Sequence, residues 1–135
     1  RVLNNTATVR STPLQKGVPL GITENGSDGN QRGSVTVQGN TFRITENNLS
    51  YTEAADISTN AARITLKNNT FELRGPLDNP YLRIASAANA AGSLEMEGNT
   101  ILADASSPPD YWLRLNRVTA TMRGNQYNGR PLGGP

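Results

Sequence analysis

The hexapeptide VQGNTF stands at 37–42, and the chain repeats it with small changes: LKNNTF at 66–71, MEGNTI at 96–101 and MRGNQY at 122–127. Aligned on one position, the copies place Asn40, Asn69, Asn99 and Asn125 in a column, with spacings of 29, 30 and 26 residues. A weaker copy, VLNNTATV at 2–9, adds Asn5 to the column 35 residues before Asn40. A motif that stays constant while its spacing wanders marks a structural unit joined by loops of variable length, the signature of a repeat architecture.

Around each column Asn the alternation has period two, which argues for strands. The residues three and five before it are Val37 and Val35, Leu66 and Ile64, Met96 and Leu94, Met122 and Ala120, all apolar. The residues between and just after them are polar or charged: Thr36 and Gln38, Thr65 and Lys67, Glu95 and Glu97, Thr121 and Arg123. A second short strand follows the Asn, with Phe42 and Ile44, Phe71 and Leu73, Ile101 and Ala103, then Tyr127 and Gly129 as the pattern decays. Gly-Asn or Asn-Asn between the two strands suits a sharp corner, because these residues tolerate positive φ. Upstream of the copies, LGIT at 20–23, ADIS at 55–58, YLRIAS at 81–86 and WLRLN at 112–116 read as a third strand per unit. Three short strands cannot bury one apolar face alone, but stacked coil upon coil they enclose a narrow continuous core. The expected fold is all-β, a parallel β-helix of about five coils with three strands each, roughly 24 Å long at a parallel-strand spacing of about 4.8 Å. The stacking would set the column asparagines over one another as an amide ladder. A single domain over 1–130 is expected, with a Gly/Pro-rich tail at 131–135; only TEAADISTNAAR at 52–63 has weak helical character.

Composition agrees. With 135 residues, 35% hydrophobic content, 16 Asn and 14 Thr, a thick leucine core is not available. The absence of Cys and His removes thiol nucleophiles, disulfides, imidazole bases and nearly all zinc chemistry. Net charge is +2 and the 13 Lys and Arg are scattered, so a nucleic-acid partner is not expected. No stretch approaches the roughly 18 apolar residues of a membrane span. The chain starts at Arg1 without Met and reads as a fragment of a longer protein.

Units of the form apolar-x-apolar-x-Gly-Asn-Thr-apolar, over residues 2–129, resemble the right-handed parallel β-helix proteins of the pectate-lyase type. Among these are bacterial polysaccharide lyases and hydrolases and the tailspikes of bacteriophages. The resemblance implies binding or cleavage of long carbohydrate chains along the side of the helix, an extracellular or virion location and, for tailspikes, a homotrimer. The motif is a scaffold signature, and fold alone does not confer function. The family's lyases use an Arg or Lys base beside calcium held by clustered acids; Asp56, Asp78, Asp104 and Asp110 lack the spacing of a calcium loop, so neither metal nor cofactor is expected.

Two groups of residues carry chemistry. With Leu82 and Ile84 inward, the alternation places Tyr81 and Arg83 outward, and Trp112 and Arg114 in the same columns one coil later, with Tyr111 at their edge. Aromatic planes pack on sugar C–H faces and Arg forks onto hydroxyls or carboxylates, so these residues read as a saccharide platform. The bland alternative is an aromatic ladder or a subunit contact. On the neighbouring strand Glu95 and Glu97 lie two apart on one face, roughly 6.5 to 7 Å between backbones, a separation compatible with paired-acid glycoside hydrolysis. The competing account is a charge ladder of Lys67, Glu97 and Arg123 in successive coils. Three functions stay open: part of a phage tailspike that recognises bacterial surface polysaccharide, a catalytic lyase or glycosidase fragment, and a structural trimeric shaft. ENGSDGNQRG at 24–33 reads as a mobile loop, since it lacks the Lys and following helix of a phosphate cradle.

Overall fold

The structure, a computed structural model, describes residues 1–11, 17–24, 29–47, 53–75 and 80–133. A residue with positive φ stands before every column Asn: Asn4 (56°), Gly39 (69°), Asn68 (53°), Gly98 (65°) and Gly124 (63°). This left-handed residue turns the chain and separates two strands in every coil.

The strands fall into three parallel stacks. The first sheet is formed before the corner by β1 (Val2–Leu3), β4 (Ser34–Gln38), β7 (Arg63–Lys67), β10 (Gly92–Glu97) and β13 (Val118–Arg123). The second follows the corner: β2 (Thr6–Ser11), β5 (Thr41–Asn47), β8 (Thr70–Leu73), β11 (Thr100–Ala103) and β14 (Gln126–Tyr127). The third holds β3 (Leu20–Thr23), β6 (Ala55–Thr59), β9 (Leu82–Ser86) and β12 (Leu113–Asn116). Each strand pairs in parallel with its counterpart one coil away, as in Val35↔Ile64, Phe42↔Phe71 and Ile57↔Ile84. The chain is a parallel β-helix with three strands per coil. No helix occurs among the described residues, and the weakly helical 52–63 instead supplies β6 and the start of β7.

The core is the narrow space between the sheets. Val37, Ile64, Leu66, Leu94 and Met96 enter from the first, Phe42, Ile44, Phe71, Leu73 and Ile101 from the second, and Ile57, Leu82, Ile84 and Leu113 from the third, all buried. Phe42 and Phe71 stack in adjacent coils with centroids 5.5 Å apart. Apolar side chains are left half-buried at the two ends, Val2, Ala7 and Val9 at one and Val118, Ala120 and Met122 at the other.

Asn40, Asn69, Asn99 and Asn125 are buried at 1–3% exposure inside the corner. The backbone N–H and side-chain Nδ2 of Asn40 both donate to Asn69 Oδ1 at 3.0 Å. Asn69 repeats the pair onto Asn99 Oδ1, and Asn99 onto Asn125 Oδ1. Each Nδ2 also reaches back to a carbonyl of the preceding coil: Asn40 to Val2, Asn69 to Val37, Asn99 to Leu66 and Asn125 to Met96, at 2.7–3.0 Å. A buried amide is thereby satisfied on both sides, which removes the penalty for its desolvation.

At the C-terminal end β15 (Arg130–Pro131) folds back antiparallel on β14. The turn residues Asn128 and Gly129 both have positive φ, 47° and 79°, as a two-residue hairpin turn requires. Thus Pro131 and Leu132, expected as tail, belong to a cap, and Leu132 N–H donates to Asn125 O at 2.9 Å. The described parts of the loop at 24–33 are laid against the body rather than free. Glu24 accepts from Thr59 Oγ1 and Asn60 N–H at 2.8 and 2.7 Å, and Arg32 N–H donates to Asn60 O at 2.9 Å. Residues 25–28 of that loop, and Asp78, lie outside the described residues.

Asn99→Ala orphans the two donors of Asn69 in a buried site and is expected to destabilise the fold by roughly 2 to 4 kcal/mol in urea unfolding. Asn5→Ala, at the exposed first coil, is expected to cost under about 1 kcal/mol by the same measurement. Equal losses at the two positions would contradict the ladder.

Candidate functional site

On the outer face of the third sheet the register aligns Gly21, Asp56, Arg83 and Arg114 in one column. Arg83 is half-exposed and Arg114 exposed. Like charges directly opposite repel, so this adjacency needs a counter-charge. For Arg83 the partner is Glu53, just before β6, whose carboxylate is 0% exposed and lies 2.9 Å from the guanidinium. Arg83 Nε is buried without a hydrogen-bond partner among the described residues. Arg114 has no ion pair among them. Tyr111, in the turn before β12, is 50% exposed.

Tyr81 and Trp112 do not face outward. They are 4% and 3% exposed, and each is followed by a buried leucine, Leu82 or Leu113. Two consecutive buried residues mark a corner: β9 and β12 begin at Leu82 and Leu113, so the strand alternation does not extend back to the aromatic residues. The ring of Tyr81 instead lies nearly parallel to Tyr127, centroids 6.5 Å apart and planes 7° from parallel. Its hydroxyl pKa is pushed up, by burial first and then by its hydrogen bond with Tyr127. Of the five residues expected to face outward here, Tyr81 and Trp112 are therefore buried, while Arg83, Arg114 and Tyr111 are at least partly exposed.

On the first sheet Glu95 aligns with Thr65 and Thr121, and Glu97 with Lys67 and Arg123. Glu97 lies 3.3 Å from Lys67 Nζ and 3.0 Å from Arg123, while Arg123 also comes within 3.7 Å of Glu95. The hydrogen bond from Arg123, then that from Lys67, holds the Glu97 carboxyl below its ordinary value. A carboxyl kept ionised by two cations is no proton donor, which leaves Glu97 unsuited to the acid role in paired-acid hydrolysis. Glu95 lines a shallow groove of about 290 Å³ with Arg63, Ser93 and Thr121. Asp104 is held low in pKa by the Gly75 N–H and then by Arg74, which ties the loop after β8 to the loop after β11. No group of three or more acids that could hold a metal occurs among the described residues.

Glu53 was not singled out in the sequence, where it sits within the weakly helical 52–63. A signal was present: it lies three residues before Asp56, the register partner of Arg83. The chain matches no protein-family model, and no curated protein or solved structure is significantly similar to it.

Arg83→Ala removes the guanidinium 2.9 Å from the buried Glu53 carboxylate and is expected to destabilise by about 2 kcal/mol, below the full value for a buried pair because Arg83 is part-exposed. Adding Glu53→Gln should recover more than half of the loss in urea unfolding; no recovery would mean that Glu53 is held by other groups.

For Glu97 and Asp104 the folded-state pKa lies below the unfolded one, so their contribution to stability is present above the ordinary carboxyl values of 4.5 and 3.8 and is lost as pH falls through the depressed ones. Unfolding free energy measured across a pH series should be flat near neutrality and fall in acid, with a shallower fall in Glu97→Gln.

Proposed function

We propose that this chain is a module of an extracellular β-helix protein, of the kind found in phage tailspikes, that recognises an acidic bacterial surface polysaccharide along the outer face of its third sheet. The observation that carries the reading is the stacking of Arg114 directly on Arg83, in register, with Arg83 paired internally to Glu53 and Arg114 exposed and without an ion pair among the described residues. Two arginines whose backbones lie one strand spacing apart, roughly 4.8 Å, place forked donors on one face for a carboxylate-bearing sugar. Tyr111, three residues before Arg114 in the chain, adds an exposed ring against which a pyranose can pack. The regular coil repeat suits an extended polymer better than a small molecule, because each coil presents its side chains on the same face. Assembly as a homotrimer on a virion belongs to the same proposal and draws on the resemblance alone.

Alginate, a polyuronate, should bind the protein in isothermal titration, and dextran, which is uncharged, should not. Arg114→Glu, which leaves the Glu53–Arg83 pair intact, is expected to weaken alginate binding by about tenfold or more, the equivalent of one charge-assisted contact. Added salt should weaken binding to the wild-type protein more steeply than to the variant. Equal affinity of Arg114→Glu and wild type for alginate, or no binding by either, would remove the basis for this reading.

A further inference from the structure

The asparagine ladder has a direction. In each step the earlier asparagine gives two hydrogens, from its backbone N–H and its Nδ2, to the Oδ1 of the later one, beginning with Asn5 onto Asn40 and ending with Asn99 onto Asn125. One end of the stack therefore presents the Oδ1 of Asn5, which no column asparagine reaches. The other presents the donors of Asn125, which meet no column oxygen among the described residues. The sheets end in the same way. β1, β2 and β3 stand last in their sheets at the first end, with Ala7 and Val9 half-buried there; β12 and β13 stand last in theirs at the second, with Ala120 and Met122 half-buried. The carbonyls of Arg117 and Arg123 accept from Gly92 and Gly98 of the coil before, both at 3.0 Å. The alternation then turns the N–H and C=O of Val118, Ala120 and Met122 toward the open edge of β13.

Only the second sheet is closed at that end, and its closure imitates a further coil. Between coils, the residue after a column asparagine donates its N–H to the column carbonyl one coil before: Thr41 to Asn5, Thr70 to Asn40, Thr100 to Asn69 and Gln126 to Asn99, at 2.8–2.9 Å. Leu132 N–H makes the same bond to Asn125 O at 2.9 Å, and β15 lies beside β14 where the next strand of that sheet would stand. The imitation is slight. β15 has two residues, both exposed, runs antiparallel, and leaves the edges of β12 and β13 without a partner strand among the described residues. We infer that β15 is a removable cap over an interface between copies of this chain. With the cap displaced, the first coil of a second copy stacks head to tail on the last coil, β1 on β13, β2 on β14 and β3 on β12, and its Asn5 Oδ1 continues the ladder from Asn125. Hydrogen-bond polarity selects this occupant, because two first ends would set oxygen against oxygen and two last ends donor against donor. A head-to-tail contact of this kind does not close on itself, so assembly runs along the axis. The cap guards against it: an open strand edge is a template for pairing, and Pro131 in β15 has no N–H to offer a further strand.

Removal of residues 130–135 exposes the interface. β14 keeps its own attachments in that variant: its register with β11, the Tyr127 hydroxyl bond to Ala105 O at 2.7 Å, and the two bonds between Asn128 and Ala103. The coils should therefore stay folded, with the β circular dichroism spectrum of the full chain. In analytical ultracentrifugation the full chain should keep one mass at every concentration, whereas the mean mass of the shortened chain should about double or more between roughly 5 and 500 μM. Leu132→Lys in the full chain loosens the cap without shortening it and should give the same rise more weakly. The blocking variant lies at the far end. Thr41 N–H bonds Asn5 O, so the alternation turns the Thr8 N–H to the open edge of β2, a position where an edge strand tolerates proline. Thr8→Pro should return the shortened chain to a fixed mass. A fixed mass in both cap variants, equal growth in the full chain, growth that survives Thr8→Pro, or growth accompanied by loss of the β spectrum would each overturn the inference. The contact uses none of the arginine face, so alginate binding and its loss in Arg114→Glu stand or fall separately.

Discussion

Everything else in this molecule depends on a buried asparagine that is satisfied by neighbouring coils, through the same residue on one side and a backbone carbonyl on the other. An amide taken out of water with nothing to bond costs several kcal/mol, and in each coil from Asn40 to Asn99 the missing partner is the same residue one coil further on. The interaction is therefore worth nothing to a single coil and a great deal to a stack. It also sets register, because a one-residue slip would carry the amide to the outer face and leave its neighbours' donors unpaired. With register held at the corner, the connecting loops are free to differ in length, and the spacing between column residues ranges from 26 to 35.

A related constraint acts one position earlier, at the left-handed corner residue. Asn4 and Asn68 extend their side-chain oxygens over Gly39 and Gly98 in the following coil, into the space a Cβ would take. Glycine at those two positions is thus favoured twice, by its positive φ and by the neighbouring side chain that occupies the Cβ space. Stacking in register then decides how charge is distributed on the outside. The first sheet places Glu97 between Lys67 and Arg123 and neutralises itself. The third places Arg114 on Arg83 and, among the described residues, pairs only Arg83, with an acid drawn from inside. Among the described residues one face is closed by ion pairs and the other leaves an arginine unpaired, although both obey the same repeat.

Much of this was legible in the chain. The period-two alternation gave the inward columns, the repeated Gly-Asn and Asn-Asn pairs gave the corners and the ladder, and the aligned copies gave the Lys67, Glu97, Arg123 stack. Strand ends were less visible: Tyr81 and Trp112 follow the alternation on paper, but they precede the first strand residue, where the turn of the chain rather than the pleat decides which way a side chain points. Glu53 was hidden because its partner is a coil away and no repeat places an acid at that position in other coils. The hairpin cap had a local signal, Asn128-Gly129, overlooked because the surrounding residues had already left the repeat.

The ladder is tested most directly by native-state hydrogen exchange at the backbone amides of Asn40, Asn69 and Asn99. These donate only to side-chain oxygens, not to a strand carbonyl, so ordinary sheet pairing does not protect them. If the ladder holds the stack together, all three should exchange only through global unfolding, with the same free energy as the slowest core strand amides such as Leu66 and Phe71. Exchange at the rates of an open corner, well ahead of those strands, would contradict it.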